Sequence, residues 1–263
     1  MIHYPQIDPV ALSIGPISIY WYGLTYVGGL IFAWWLGKQR AQLAQSPVSE
    51  EQIDDLIFYA ALGIVAGGRV GYALFYGAGS LWDDPLRVFR LWEGGMAFHG
   101  GFLGVVTAMW LFSRHQKIEF GALVDFIAPL APVGLALGRI GNFINQELWG
   151  RPADVPWAMV FPGDPLGLAR HPSQLYQFAM EGVLLFFVLF WYTRSPRPQW
   201  SAAGLFLLGY GLFRSFAEFF REPDAHIGFD ALGWMTRGQL LSLPMIAIGA
   251  VIMIWAYRRD AKK

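Results

Sequence analysis

The chain has 263 residues, of which 55% are hydrophobic, 17% aromatic and only 14% charged, and its mean hydropathy is +0.40. A soluble domain carries roughly 25% charged residues, so this composition excludes a water-soluble globular fold and points to an integral membrane protein. Nineteen basic residues balance nineteen acidic ones and there is no cysteine, which excludes nucleic acid as a partner and any disulfide, thiolate metal site or cysteine nucleophile of the protein's own.

Met1 to Pro16 has no Lys or Arg before its first apolar run, so no cleavable signal peptide is expected there. Seven stretches then reach the ~20 mostly apolar residues that a helix needs to cross the bilayer core. They are Ile17 to Gly37, Ile53 to Tyr76, Met96 to Phe112, Phe120 to Leu137, Ser173 to Tyr192, Ala202 to Phe220 and Leu240 to Tyr257. The expected fold is all-α, a single polytopic membrane domain over residues 1–263 with about seven transmembrane helices. The fourth span carries Asp125, Pro129 and Pro132 and should kink, because membrane helices tolerate proline where neighbours satisfy the freed carbonyls. If the spans alternate, Lys38, Arg40, Arg114, Lys117, Arg194, Arg197, Arg258, Arg259, Lys262 and Lys263 share one side. The excess of Lys and Arg makes that side the cytoplasm, so the N-terminus is periplasmic and the C-terminus cytoplasmic. Arg87, Arg90, Arg139, Arg151, Arg170, Arg221 and Arg237 fall on the opposite side. Glycines spaced by four, Gly63 with Gly67 and Gly71, Gly100 with Gly104, and Gly134 with Gly138, predict close approach of helix backbones.

The longest non-spanning stretch, Gly138 to Pro172, is polar and faces the periplasm in this scheme. It opens with GRIGNFINQELWGR, Gly138 to Arg151, which places Arg139, Asn142, Asn145, Gln146, Glu147 and Arg151 among apolar residues at headgroup depth. Arginine offers a planar fork of donors that pairs with two phosphate oxygens at once. The plainer alternative, arginines snorkelling non-specifically to headgroups, does not account for two Asn, a Gln and a Glu in the same run. A second feature, EGGMAFHGG from Glu93 to Gly101, sets His99 between glycine pairs, where a substrate can approach an imidazole suited to proton transfer near neutrality. A packing histidine is the other option. In the sixth span Arg214, Glu218 and Arg221 share one helical face; Arg214 and Glu218 are expected to neutralise each other, leaving Arg221 the more available charge, with a purely structural ion network as the alternative. Arg69, Asp125 and Glu181 are expected to pair among themselves. Tyr20, Trp21, Tyr22 and Tyr26 form an aromatic cluster at the outer end of the first span, and RHPSQLY opens the fifth. The seventh span has no lysine for a Schiff base, and Gly-x-Ser-x-Gly and His-Glu-x-x-His settings are absent. The residues alone therefore support an outward-facing, arginine-rich site for an anionic lipid headgroup, with no metal and no cofactor.

With these motifs in view, the chain resembles the bacterial prolipoprotein diacylglyceryl transferase family from about Tyr4 to Arg259. GRIGNFINQELWGR is similar to the family's signature, and GGMAFHGG, DFIAPL, RHPSQLY and EFFREPD agree in the same order. The resemblance implies a multi-pass enzyme of the bacterial inner membrane, its active site toward the periplasm. It would transfer the diacylglyceryl group of phosphatidylglycerol to the lipobox cysteine of preprolipoprotein signal peptides, forming a thioether and releasing glycerol phosphate. It also implies roles: His99 as base or thiol-orienting group, Arg139 and Arg221 as phosphate clamp, and Tyr22, Asn142 and Glu147 as headgroup or arginine-orienting contacts. Arg214, Glu218, Asp125 and His171 are support candidates. An anionic-lipid transporter and a non-catalytic binding protein for lipoprotein precursors are the rivals; transport expects polar residues continuing to the inner face.

Overall fold

The computed structural model describes residues 2–76, 84–90, 94–223, 228, 230 and 233–262. Glu93 and Asp224 of the motifs above lie outside the described residues, as does the side chain of Arg87. The described helices are α1 (Trp21–Ala41), α2 (Gln52–Tyr76), α3 (Phe98–His115), α4 (Phe120–Ile127), α5 (Ala131–Ile144), α6 (Ser173–Tyr192), α7 (Ser201–Ala217) and α8 (Arg237–Asp260). Among the described residues three helices, Gln52–Phe75, Ser173–Tyr192 and Arg237–Asp260, are long and apolar enough to cross a membrane. The pair α4 and α5 makes a fourth if it counts as one broken span. Their large apolar side chains point outward: Phe58 is 65% exposed, Phe187 60% and Val251 66%. Charged side chains such as Arg69, Glu181 and Glu218 are buried instead. That inversion of the soluble pattern fits a chain whose solvent is lipid.

The expected kink is present. Pro129 and Pro132 remove two backbone donors, and the fourth expected span breaks into α4 and α5 at 46°. Helix α5 then runs past Leu137 to Ile144, so Arg139 and Asn142 lie within the helix.

The described residues form two compact units, Met1–Ala33 with Asp125–Lys263, and Trp34–Val124. In the second unit α2 packs on α3 through the spaced glycines: a Cβ at Gly63 would come within 2.7 Å of the Gly104 carbonyl oxygen, and one at Gly71 within 2.6 Å of the Gly100 Cα. The guanidinium of Arg69 donates to the carbonyls of Val88 at 3.1 Å, Arg90 at 2.7 Å and Gly95 at 3.1 Å, and to that of Gly94. It satisfies loop carbonyls, where the sequence led one to expect a carboxylate.

The first unit departs from an all-helical scheme in two places. Val10–Ile14 (β2) and Ile17–Tyr20 (β3) form a hairpin turning at Gly15, whose φ is +59°, so the first expected span loses its start and α1 begins at Trp21. The cause is local: β-branched residues alternate on both sides of a Gly-Pro turn. Strand β1 (Ile2–His3) pairs parallel with β4 (Met159–Val160), which pairs antiparallel with β5 (Ala169–Arg170). This small sheet lets buried Tyr4 pack between Phe143 and Phe161 and donate its hydroxyl to the carbonyls of Phe143 at 2.8 Å and Ile144 at 3.1 Å, satisfying orphan carbonyls at the end of α5. Residues 152–169, given no role from sequence, thus brace the helix that carries Arg139. Asp125 accepts from the amides of Trp200 and, at 2.8 Å, Ala203, and so caps the N-terminus of α7 from a distance in sequence. Of the glycine pair Gly134 and Gly138, only Gly134 receives a close neighbour: a Cβ at Gly29 would stand 3.0 Å from its Cα.

Candidate active site

The signature Gly138 to Arg151 folds as the last turns of α5 and a tight loop. The loop reverses because Gln146 and Leu148 both take positive φ, 56° and 58°, a costly conformation for non-glycine residues. Its anchors supply the compensation. Buried Ser173 donates to the Leu148 carbonyl at 2.7 Å, and buried Gln174 to the Glu147 carbonyl at 2.6 Å. The amide of Gly163 donates to the Gln146 side chain at 2.7 Å. Farther on, Gly150 bridges Arg221, with Arg151 N–H to Phe220 O at 2.9 Å, Glu222 N–H to Trp149 O at 3.2 Å and Arg151 Nε to Arg221 O at 3.0 Å. A Cβ at Gly150 would lie 2.5 Å from the Phe220 carbonyl oxygen and 2.6 Å from the His171 Cβ, so only glycine lets these strands meet. The backbone thereby joins the signature to the FREP stretch after α7.

Two polar groups result. In the first, the exposed Glu147 carboxylate accepts from Asn142 Nδ2 at 3.1 Å and Asn145 Nδ2 at 3.3 Å. Asn142 also meets the Tyr22 hydroxyl, which lies 3.2 Å from that of Tyr26. The Tyr22 ring fits over α5 because Gly141 has no side chain: a Cβ there would stand 2.7 Å from the ring. Tyr22, Asn142 and Glu147, singled out separately from sequence, form one connected patch.

The second group is a chain of buried charges. Arg139 holds Glu181 with Nη2 at 3.0 Å and Nε at 3.3 Å. Arg214 reaches Glu181 at 3.4 Å and Glu218 at 2.6 Å. Arg221 reaches Glu218 at 3.0 Å, and Thr236 donates to the same carboxylate at 2.7 Å. Glu181 and Glu218 are 0% and 1% exposed, against 16%, 14% and 9% for the side chains of Arg139, Arg214 and Arg221. The Tyr210 hydroxyl hydrogen-bonds Arg139. Glu218 is shared by two arginines, so Arg221 is not the available charge expected from the helix spacing. Glu181 pairs with Arg139 and Arg214, not with Arg69 or Asp125. Three guanidiniums thus share two buried carboxylates. Guanidiniums fixed in this way present planar forks of donors that can pair with an anion's oxygens two at a time.

Around this core, Arg170 holds Asp164 through two bonds, 2.7 Å and 3.1 Å, both side chains buried, and the hydrogen bonds from Arg170 hold the Asp164 carboxyl below its usual range. His171 Nδ1 lies 3.0 Å from the Tyr176 hydroxyl, which also accepts from Trp157 at 2.6 Å. Burial pushes the His171 pKa down. His99 belongs to the other compact unit, exposed in the first turn of α3 with its ring edge-on to Phe98 at 5.7 Å. Among the described residues no group of three or more His, Asp or Glu side chains is placed to hold a metal ion.

Sequence reasoning missed the central position of Glu181 and Arg214 and the anchoring by Ser173 and Gln174. A glutamate and two glutamines within one otherwise apolar span were the available signal.

Similarity to known proteins extends over nearly the whole chain. A family model described as prolipoprotein diacylglyceryl transferase matches residues 9–255. The phosphatidylglycerol–prolipoprotein diacylglyceryl transferase of Teredinibacter turnerae is 56% identical, covering 99% of this chain and 94% of its own length. Those of Azotobacter vinelandii and Pseudomonas aeruginosa are each 55% identical, covering 100% and 99% of this chain and 99% and 98% of their own. A match of that extent leaves one assignment: the chain is a member of the prolipoprotein diacylglyceryl transferase family.

Proposed function

We propose that this protein transfers the diacylglyceryl group from phosphatidylglycerol to the lipobox cysteine of a preprolipoprotein, with the Arg139, Arg214 and Arg221 cluster binding the lipid phosphate. The convergence of three guanidiniums on two buried carboxylates is the observation that carries the proposal, because carboxylates that hold guanidiniums in place preorganise them for the oxygens of a phosphate. The full topology belongs to the same proposal: about seven spans in the bacterial inner membrane, the N-terminus periplasmic and the site at the periplasmic leaflet.

The chemistry follows from the product. The cysteine sulfur attacks the glycerol carbon, the carbon–oxygen bond to phosphate breaks, the thiol proton leaves to a base, and glycerol phosphate departs as a monoester with one more negative charge. Moving a proton from a thiol to an imidazole costs roughly 2.7 kcal/mol from their reference pKa values, small beside what positioning supplies. Charge development on the departing oxygen is the larger demand, and preorganised guanidiniums meet it. Glu181 engages the Nε and Nη2 edge of Arg139, which aims the remaining fork. Arg221 donates to Glu218 through Nη1. Tyr22, Asn142 and Glu147 contact the headgroup, and His99 takes or orients the thiol proton.

Incubating the purified protein with phosphatidylglycerol and a lipobox peptide should add the diacylglyceryl mass to the cysteine. Binding of lipid without that mass would leave a transporter or a precursor-binding protein.

A further inference from the structure

Gln177 is fully buried, and neither its amide oxygen nor its amide nitrogen has a hydrogen-bond partner. Among the described residues it alone leaves both ends of an amide in this state. A buried polar group without a partner costs about 1–3 kcal/mol, so such a residue in the middle of a helix calls for an account. Its position supplies one. Gln174 and Gln177 are i, i+3 neighbours in the first turns of α6, and Glu181 follows one turn on, in a π-helical stretch of the same helix, Phe178–Leu184. Helix α6 packs there against α5 and α7. At one end of the row Gln174 donates to the Glu147 carbonyl at 2.6 Å, while its own amide oxygen is buried without a partner. At the other end Glu181 orients Arg139 and Arg214. Gln177 therefore sits between the signature loop and the arginine chain, one helical turn from Glu181.

We infer that Gln177 is the residue that recognises the hydroxyls of the phosphatidylglycerol headgroup. This rests on the proposal that the arginine cluster holds the lipid phosphate. An amide carries two donors and an acceptor side by side, and a pair of neighbouring hydroxyls likewise offers both donor and acceptor. Its offset from Glu181 is comparable with the three-carbon chain that separates a headgroup's terminal hydroxyl from its phosphate. The headgroup glycerol satisfies the orphaned atoms of Gln177, and a headgroup without hydroxyls leaves them unpaired, which is how a polar site rejects an apolar analogue.

The test compares kcat/KM for phosphatidylglycerol with that for the same lipid carrying 1-propanol in place of glycerol, in the wild type, Gln177→Leu and Gln177→Met, with thermal melting of each. The wild type should prefer phosphatidylglycerol by at least about tenfold, and both variants should bring the ratio close to one with melting temperatures no lower than the parent's. An unchanged ratio in the variants, or a wild type indifferent to the hydroxyls, overturns the assignment. So does an equal loss on both lipids with a lowered melting temperature, the signature of a packing role. Gln177→Met, unbranched and of similar length, covers the case in which leucine fails to fold. A wild type that transfers from neither lipid sinks the transferase proposal itself, a separate result.

Discussion

Replacing Glu181 with glutamine tests the logic of the charge chain. The carboxylate is completely buried and accepts from Arg139 at 3.0 Å and 3.3 Å and from Arg214 at 3.4 Å. Removing one member of a buried pair costs about 3–5 kcal/mol; glutamine keeps one acceptor oxygen and the same shape, so the lower end, about 3 kcal/mol, is expected. The substitution also makes the cluster more positive by one charge, so the affinity for an anionic lipid should not fall. What is lost is the tether on Arg139, and a displacement of about 1 Å in a reacting group costs on the order of 100-fold. The expected pattern is kcat down by about two orders of magnitude with KM equal or lower, which marks an interaction used in the transition state. The assay is diacylglyceryl transfer to a lipobox peptide over a range of phosphatidylglycerol concentrations, with thermal melting in the same detergent. The double variant Arg139→Gln with Glu181→Gln returns the cluster to the net charge of the parent. Its stability should partly recover because no buried charge is left half-paired, while its activity stays at that of Arg139→Gln alone. If Glu181→Gln keeps kcat within a factor of about three, or the double variant regains activity, orientation of Arg139 is not what Glu181 provides.

Arg139→Lys should remain folded yet lose at least about 100-fold in kcat/KM, since a point charge cannot engage a carboxylate and a phosphate through two forks; near-normal turnover would refute the clamp. Gly150→Ala should destabilise by roughly 1–3 kcal/mol, because the new Cβ meets the Phe220 carbonyl and the His171 Cβ at 2.5 Å and 2.6 Å; a parent-like melting curve counts against the loop junction. His99→Gln should lower the rate with lipid binding retained, and an unchanged pH profile would move the proton-accepting role elsewhere. Arg170 holds Asp164 below its usual value of 3.8, so its contribution to stability is complete above that pH and disappears as pH falls through the lower folded value. Hydrogen-exchange protection across residues 158–170, relative to the intrinsic rate at each pH, should fall on acidification below 3.8, and Asp164→Asn should remove that step; an identical acid profile in the variant would show the pair contributes nothing.

Several features were legible before any coordinates. The boundaries of α6, Ser173 to Tyr192, coincide with those read from hydropathy. Pro129 and Pro132 marked the bend between α4 and α5, and the four-residue spacing of Gly63, Gly67 and Gly71 marked the contact with α3. All are local rules, in which a missing donor or a missing side chain acts within a turn or two of helix. The hairpin at Val10–Ile14 and Ile17–Tyr20 escaped because its apolar residues satisfy a hydropathy window as well as a helix would.

The residues of the site were visible as types: an arginine-rich signature, and Arg214, Glu218 and Arg221 on one face. Their partners were not. Glu181 meets Arg139 across 42 positions of chain, and Gly150 stands beside Arg221 across 70 or so. Composition and periodicity determined that this chain lives in lipid and which helix face carries each charge. Only the tertiary structure decided which carboxylate orients which arginine, because that depends on how neighbouring helices rotate and pack, and a buried charge settles on whichever opposite charge the packing brings within reach.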